Sequence, residues 1–328
     1  MQTQTPPPEA QIFEMATAYW LSRAISAAAR FDLADSVAAG PKSATQIAEE
    51  RGLHPDNTLR LLRALAAYGI FEQKPDGTFA ATALSNTFVQ DGPMYAPLRS
   101  LVGGDHWAAW GNLEHGIKTG ENPFDAHFGM DCWKYYAEHP QVQAEFDAAM
   151  TGFSNSLLPA ILEAYDFSGY SHIVDIAGGH GAVLEAILES APNARGTLFD
   201  QPHVVEKATV KRAAKVGGSF FEAVPEGADA YVMKFILHDW KDADCLRILA
   251  TIRRAIAPKG KLILLETVLA PPNQPDWGKL LDLNMLAIPG GRERDADEWR
   301  TLLARGGFDL KRVVPTKSPI SAIESVPC

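Results

Sequence analysis

The sequence predicts a doubly wound α/β fold: a mostly parallel sheet ending in a C-terminal antiparallel hairpin and preceded by a mainly helical region. Three observations predict it. The run SHIVDIAGGHGAVLEAILESAPNARGTLFD, from Ser171 to Asp200, reads as buried strand, glycine loop, helix and second strand. Strand and helix patterns keep alternating as far as Arg305. Two alternating segments, Asp309 to Val314 and Ser321 to Val326, then meet through Pro315 to Pro319. Strands separated by helices pair in parallel through crossovers, and only a short turn allows the last pair to be antiparallel.

From the start, residues up to about Pro8 read as an arm. Ala10 to Arg30 has helical spacing in Ile12, Met15, Ala16, Tyr19, Trp20, Ala24, Ile25 and Ala28. A face that broad and apolar needs a cover, so a homodimer is expected. Phe31 to Val37 reads as a short second helix. Ser43 or Thr45 starts another, and Asp56 or Asn57 caps a longer one carrying Leu59, Leu62, Leu65 and Ala66. Ile70 to Thr82 alternates about Asp76-Gly77, a strong hairpin signal. The layout is a helix-turn-helix with a wing. Its second helix offers only Arg60 and Arg63 amid Glu49, Glu50, Asp56, Glu72 and Asp76, so a scaffold or dimerisation role is expected rather than DNA binding.

Leu101 to Phe153 is helical and aromatic; Trp110 and Phe146, with Met150, are candidates to line an apolar pocket for a flat substrate. Leu157 to Tyr165 forms a helix leading into the sheet. Beyond Asp200 the expected elements are a helix Val204 to Val216, strands Gly218 to Phe221 and Ala230 to Phe235, and a helix Ala243 to Ile256. A strand Lys261 to Glu266 and helices Leu280 to Ala287 and Ala296 to Arg305 follow. The expected division is 1–100 for dimerisation, 101–165 as a helical linker contributing to the substrate pocket, and 166–328 as the cofactor-binding domain.

The net charge of -10 argues against nucleic acid as a partner. No apolar run approaches the roughly 20 residues needed to span a bilayer, and the start has no signal-peptide pattern, so no membrane association and a cytoplasmic location are expected. Cys132, Cys245 and Cys328 are too few and too scattered for a disulfide framework or a thiolate zinc site. The nine histidines form no H-E-x-x-H pair, and no metal is expected.

Gly178-Gly179-His180-Gly181 lacks the third glycine of a dinucleotide fingerprint, because Ala182, Val183 and Leu184 follow. Asp175, inside the strand before the loop, suits a ligand carrying an ammonium group better than a pyrophosphate. Asp200 ends the next strand, where a carboxylate can accept ribose hydroxyl protons. Together these residues point to S-adenosylmethionine rather than NAD.

The segments VDIAGGHGAV, LFDQPHVV, GGSFFEAVPEGADAYVMKFILHDW, LLETVL and PGGRERDADEWRTLLARGGF run in the same order as in the plant and bacterial small-molecule O-methyltransferases, the caffeic acid and hydroxyindole O-methyltransferase family. The chain resembles that family over nearly its whole length. The resemblance implies a Rossmann-like methyltransferase sheet behind a winged-helix-like dimerisation domain. It implies Gly178 and Gly179 against the methionine part of the cofactor, Asp200 at the ribose, and Ser219 and Phe220 at the adenine, with Gln201 a further cofactor-binding candidate. Lys234 and Ser154 are implied near the cofactor carboxylate. Two residues depart from the family pattern: Ala177 replaces a glycine, a change expected to be sterically mild, and Ser219 replaces an aspartate.

His238, ending a strand in FILHDW, lies where ligands bind open α/β sheets. A mostly neutral imidazole can take the proton of a phenol while displacement consumes the phenolate. The resemblance makes His238 the general base, flanked by Glu266 and Glu293, in methyl transfer to the hydroxyl of a small aromatic acceptor. The competing expectations are a family member with other chemistry, such as C-methylation, decarboxylation or hydroxylation, and a cofactor-sensing DNA-binding regulator.

Overall fold

The computed structural model describes residues 6–328. It divides into two compact units, residues up to Trp107 with Ala144–Gly152, and Ala108–Gln143 with Phe153–Cys328.

In the first unit the expected single N-terminal helix is two, Pro8–Thr17 and Tyr19–Arg30. Thr17 Oγ1 bonds back to the Phe13 carbonyl at 2.8 Å, the local competition that bends or ends helices. Most of the expected arm lies outside the described residues, and the helix starts at Pro8 because proline suits a first turn. Ser43 and Gln46 form a capping box on the helix Ala44–Arg51. The next helix, Pro55–Ala67, is capped by His54, whose Nδ1 accepts from the Asn57 N–H at 3.5 Å, rather than by Asp56 or Asn57. Strands β1 (Phe71–Gln73) and β2 (Phe79–Ala81) form the wing hairpin. Leu33, Ile47, Leu62, Leu65, Phe71 and Phe79 close the core of this unit. Ile12, Phe13, Met15, Tyr19 and Trp20 of its first two helices stay exposed.

The second unit is built on a seven-stranded sheet. Its strands are β3 (His172–Ile176), β4 (Arg195–Asp200), β5 (Ala213–Gly217), β6 (Ala230–Lys234), β7 (Lys261–Glu266), β8 (Phe308–Pro315) and β9 (Ser321–Pro327). They lie in the order β5-β4-β3-β6-β7-β9-β8. The first five are parallel, and β9 and β8 add antiparallel. Every residue of β3 is buried, because helices cover both faces. Ile173, Leu198, Val232, Ile263 and Leu265 pack on one side with the helix Ala182–Ser190. Val174, Ile176, Met233, Leu262 and Leu264 pack on the other with the helices Asp242–Ala255 and Ala296–Arg305. Each such side chain contributes roughly 1.5–3 kcal/mol by leaving water.

Two expectations fail between β4 and β6. The helix expected over Val204 to Val216 is one turn, Pro202–Val205, and the strand expected at Gly218 to Phe221 lies earlier, at Ala213–Gly217. β5 is an exposed edge strand of small and charged residues, with no apolar alternation to betray it. The backbone N–H groups of Lys211 and Arg212 instead donate to the Glu185 carboxylate. The helix expected from Leu157 is the end of a 25-residue helix, Pro140–Ala164.

Candidate active site

Parallel strands in register share side-chain faces. Asp175 of β3, Asp200 of β4 and Lys234 of β6 therefore point to one side at the carboxyl edge of three adjacent strands. The loop after β3 turns sharply, with Ala177 at φ 56° and Gly179 at φ 58°. A Cβ on Gly178 would sit 2.4 Å from Asp175 Oδ2 and 2.6 Å from Leu198, so no side chain fits there. Above Gly179 a Cβ would meet nothing within 4 Å, which leaves bare backbone open to a ligand.

Asp175 is buried, accepts a backbone hydrogen bond from Leu184 at the start of the following helix, and keeps Oδ2 without a partner among the described residues. Burial pushes its carboxyl up to about 7, against the pull of Lys234. Lys234 is itself pushed down to about 8 by burial. Asp200 Oδ2 accepts from the Gly179 N–H at 2.8 Å and Oδ1 from the Gln201 N–H at 2.6 Å. Each carboxylate oxygen has a second lone pair, so Asp200 can still accept from hydroxyls. Open glycine backbone, a buried orphan carboxylate oxygen and a strand-end acid fit a cationic, ribose-bearing ligand.

One strand over, a second cluster forms. His238 lies in the short 3-10 turn Leu237–Asp239 just after β6. Its Nδ1 is 2.6 Å from Glu293 Oε1 and 3.8 Å from Glu266 Oε2, and its Nε2 is 3.4 Å from Asp239 Oδ1. Glu266 ends β7, and its Oε1 accepts the N–H groups of Ile236 and Leu237 at 3.1 and 3.0 Å. Glu293 is held through its backbone N–H, which donates to Asp282 at 2.8 Å. Both glutamates are fully buried; burial pushes Glu266 up to about 7 and Glu293 to about 8, with mutual or neighbouring negative charge adding to it. Asp239 is likewise raised to about 7 by burial.

Three comparisons with known proteins bear on this geometry. Residues 110–309 match the model of the O-methyltransferase domain, and residues 13–91 match that of the O-methyltransferase dimerisation domain. The chain belongs to the O-methyltransferase family. It is 38% identical to a phenazine O-methyltransferase, PhzM, of Lysobacter antibioticus, over 96% of this chain and 95% of that one. A mitomycin biosynthesis 6-O-methyltransferase of Streptomyces lavendulae is 36% identical, over 93% and 90%. Among solved structures, the S-adenosylhomocysteine-bound form of CalO1, a methyltransferase of calicheamicin biosynthesis, superposes with a TM-score of 0.84 at 29% identity, covering 98% of both chains. The protein is thus an S-adenosylmethionine-dependent O-methyltransferase.

In this methyltransferase the second unit brings together most of the residues singled out from the sequence. Gly178, Gly179, Asp175, Asp200, Gln201 and Lys234 gather at the edge of β3, β4 and β6, and His238, Glu266 and Glu293 beside β7. Ser219 starts the turn after β5, its Oγ accepting from the Phe221 N–H at 3.3 Å. Phe220 stands edge-on to Trp240, which stacks on Trp133. Ser154 is buried. Trp110 donates its indole N–H to Asn284 Oδ1 at 2.9 Å. Phe146 and Met150 fall in the first unit.

Three residues of this site were not read from the sequence. Gly291 carries a close approach: a Cβ there would lie 1.9 Å from the His238 carbonyl oxygen, and Arg292 N–H donates to that same oxygen at 2.8 Å. The Gly-Gly pair in PGGRER was the available signal. Phe235, at φ 54°, lays its ring flat on the His238 imidazole, with centroids 4.9 Å apart. Phe153 stacks with Phe235 in turn. Asp282 has no local signal at all, because it meets Glu293 only through folding.

Proposed function

We propose that this methyltransferase acts on the hydroxyl of a small aromatic acceptor, with His238 as general base and Glu266 and Glu293 as its supporting carboxylates. When bound, S-adenosylmethionine supplies a methyl group on a positively charged sulfur, ready for displacement. Gly178 and Gly179 would offer backbone to its methionine part, Asp200, with Gln201 beside it, would hold the ribose, Ser219 and Phe220 would flank the adenine, and Lys234 and Ser154 would lie near the carboxylate. Asp175 works from beneath, holding the loop and the helix start, and adds negative charge near the cation.

The observation that carries the reading is the 2.6 Å contact between His238 Nδ1 and Glu293 Oε1. An ionised Glu293 accepts the Nδ1 proton, which leaves the Nε2 lone pair to take the acceptor's proton. Glu266, tied to two backbone N–H groups, fixes the turn that carries His238 and favours the imidazolium once it forms. The Phe235 ring keeps the imidazole in one plane. Positioning of this kind supplies much of the acceleration of an in-line displacement.

Aromatic acceptors are supported by relatives named for phenazine and mitomycin methylation, and by the indole of Trp110 in the same unit. The dimerisation-domain match and the exposed Ile12, Phe13 and Trp20 support a homodimer. Acidic residues around Arg60 and Arg63 support a scaffold rather than a nucleic-acid-binding role for the first unit. Among the described residues no helix is long and apolar enough to cross a membrane, and the reading includes a cytoplasmic enzyme.

Substitution His238→Ala tests the base. It should lower kcat by about 10²–10⁴-fold on a responsive phenol, with S-adenosylhomocysteine affinity by calorimetry held within about twofold. An unchanged kcat removes His238 from the chemistry.

A further inference from the structure

The geometry points to an inhibitory zinc site behind the base, formed by His238 Nδ1, Glu266 and Glu293. These ligand atoms all lie within 4.8 Å of one another, although the residues are far apart in sequence. Glu266 and Glu293 are 0% exposed, and the Oε2 atom of each has no hydrogen-bond partner among the described residues. Two orphaned carboxylate oxygens beside an imidazole nitrogen form a preformed set of hard and borderline donors, the chemistry zinc takes in sites with two or more such ligands. Only modest movement is required, since Nδ1 already lies 2.6 Å from Glu293 and 3.8 Å from Glu266. The nearest exposed edge of the cluster is Asp239, whose side chain is 15% exposed beside the buried His238.

Such an ion has a definite consequence for the reaction. Zinc on Nδ1 displaces the proton now shared with Glu293, and the neutral imidazole then carries its hydrogen on Nε2. The lone pair that would accept the phenolic proton is gone, while the ion sits on the ring nitrogen away from Nε2. Inhibition should therefore lower kcat and leave the acceptor KM unchanged. The site is not a cofactor site for transfer, and nothing in it activates the methyl donor. The kinetic arm rests on His238 being the base; the binding arm does not.

Zinc chloride titrated into untagged full-length protein by calorimetry should show one ion per chain. Glu266→Gln and Glu293→Gln should each weaken it by roughly 10- to 100-fold. Cys328→Ser, which alters the exposed thiol alone, should leave it unchanged. Zinc-edge X-ray absorption on the wild type should show nitrogen and oxygen ligands including an imidazole. That spectrum decides the matter if either glutamine variant fails to fold by circular dichroism. Absence of saturable binding, undiminished affinity in both folded glutamine variants, or sulfur in the coordination shell overturns the site. Zinc bound as described without a fall in kcat would leave the site standing and count against His238 as the base.

Discussion

Ala177 and Phe235 leave the adjacent strands β3 and β6 in the left-handed region, at φ 56° and 54°. A side chain there costs roughly 1–2 kcal/mol relative to glycine. For Ala177 this adds a conformational cost to a change expected to be sterically mild. Ala177→Gly should raise stability by about 0.5–1 kcal/mol, after allowing for the added freedom of the unfolded chain. A urea midpoint that stays put or falls would contradict this. For Phe235 the same conformation lays the ring on His238, so strain and base orientation are linked.

The pH dependence belongs to the same scale. A protonated Glu293 would donate to Nδ1 and leave the hydrogen on Nε2, the unproductive tautomer. The rate should therefore rise with pH through the range near 8 where Glu293 ionises. Glu266 and Glu293 repel one another when both are charged, and Glu266→Gln removes that repulsion. The acid limb of kcat/KM should then move to lower pH; movement to higher pH would show that Glu293 does not govern it.

At the scale of elements, the chain of contacts runs from loop to base. The segment Pro289 to Arg294 passes so close to the turn Leu237–Asp239 that Gly291 leaves no room for a methyl group. Gly291→Ala must push the two backbones apart and lengthen the His238–Glu293 contact. We expect kcat to fall by about 10- to 100-fold, with S-adenosylhomocysteine affinity little changed. Wild-type turnover in this variant would show that the contact is not needed. Elements were legible where burial imposed a period: β3, β6 and β7 read correctly because both faces are covered. β5 did not, because an exposed edge strand carries no apolar signature. The cap of the helix Pro55–Ala67 fell to His54 for a related reason, since Pro55 sets the first turn and several polar residues nearby could equally have capped it.

For the whole molecule, the exposed Ile12, Phe13, Met15, Tyr19 and Trp20 leave an apolar face on the first two helices, which the proposed homodimer would cover. The double substitution Ile12→Glu, Trp20→Glu should convert the homodimer to monomer in sedimentation velocity. A wild-type protein that already sediments as a monomer would refute the dimer.

Strand-helix alternation was enough to predict the doubly wound sheet, because burial writes itself locally into the chain, and Asp175 and Asp200 flanking the glycine loop pointed to a cationic, ribose-bearing cofactor that the family resemblance then named. The strand-end position of Glu266 was visible in the same way, whereas His238, expected to end a strand, lies in the 3-10 turn that follows β6 because the strand stops at Lys234. Folding alone brought His238, Glu266 and Glu293 into one buried cluster and set Asp282, Gly291 and Phe235 around it. The contacts of His238 with Glu266, Glu293 and Gly291 join segments tens of residues apart, and their energies depend on distances and burial that no local pattern encodes.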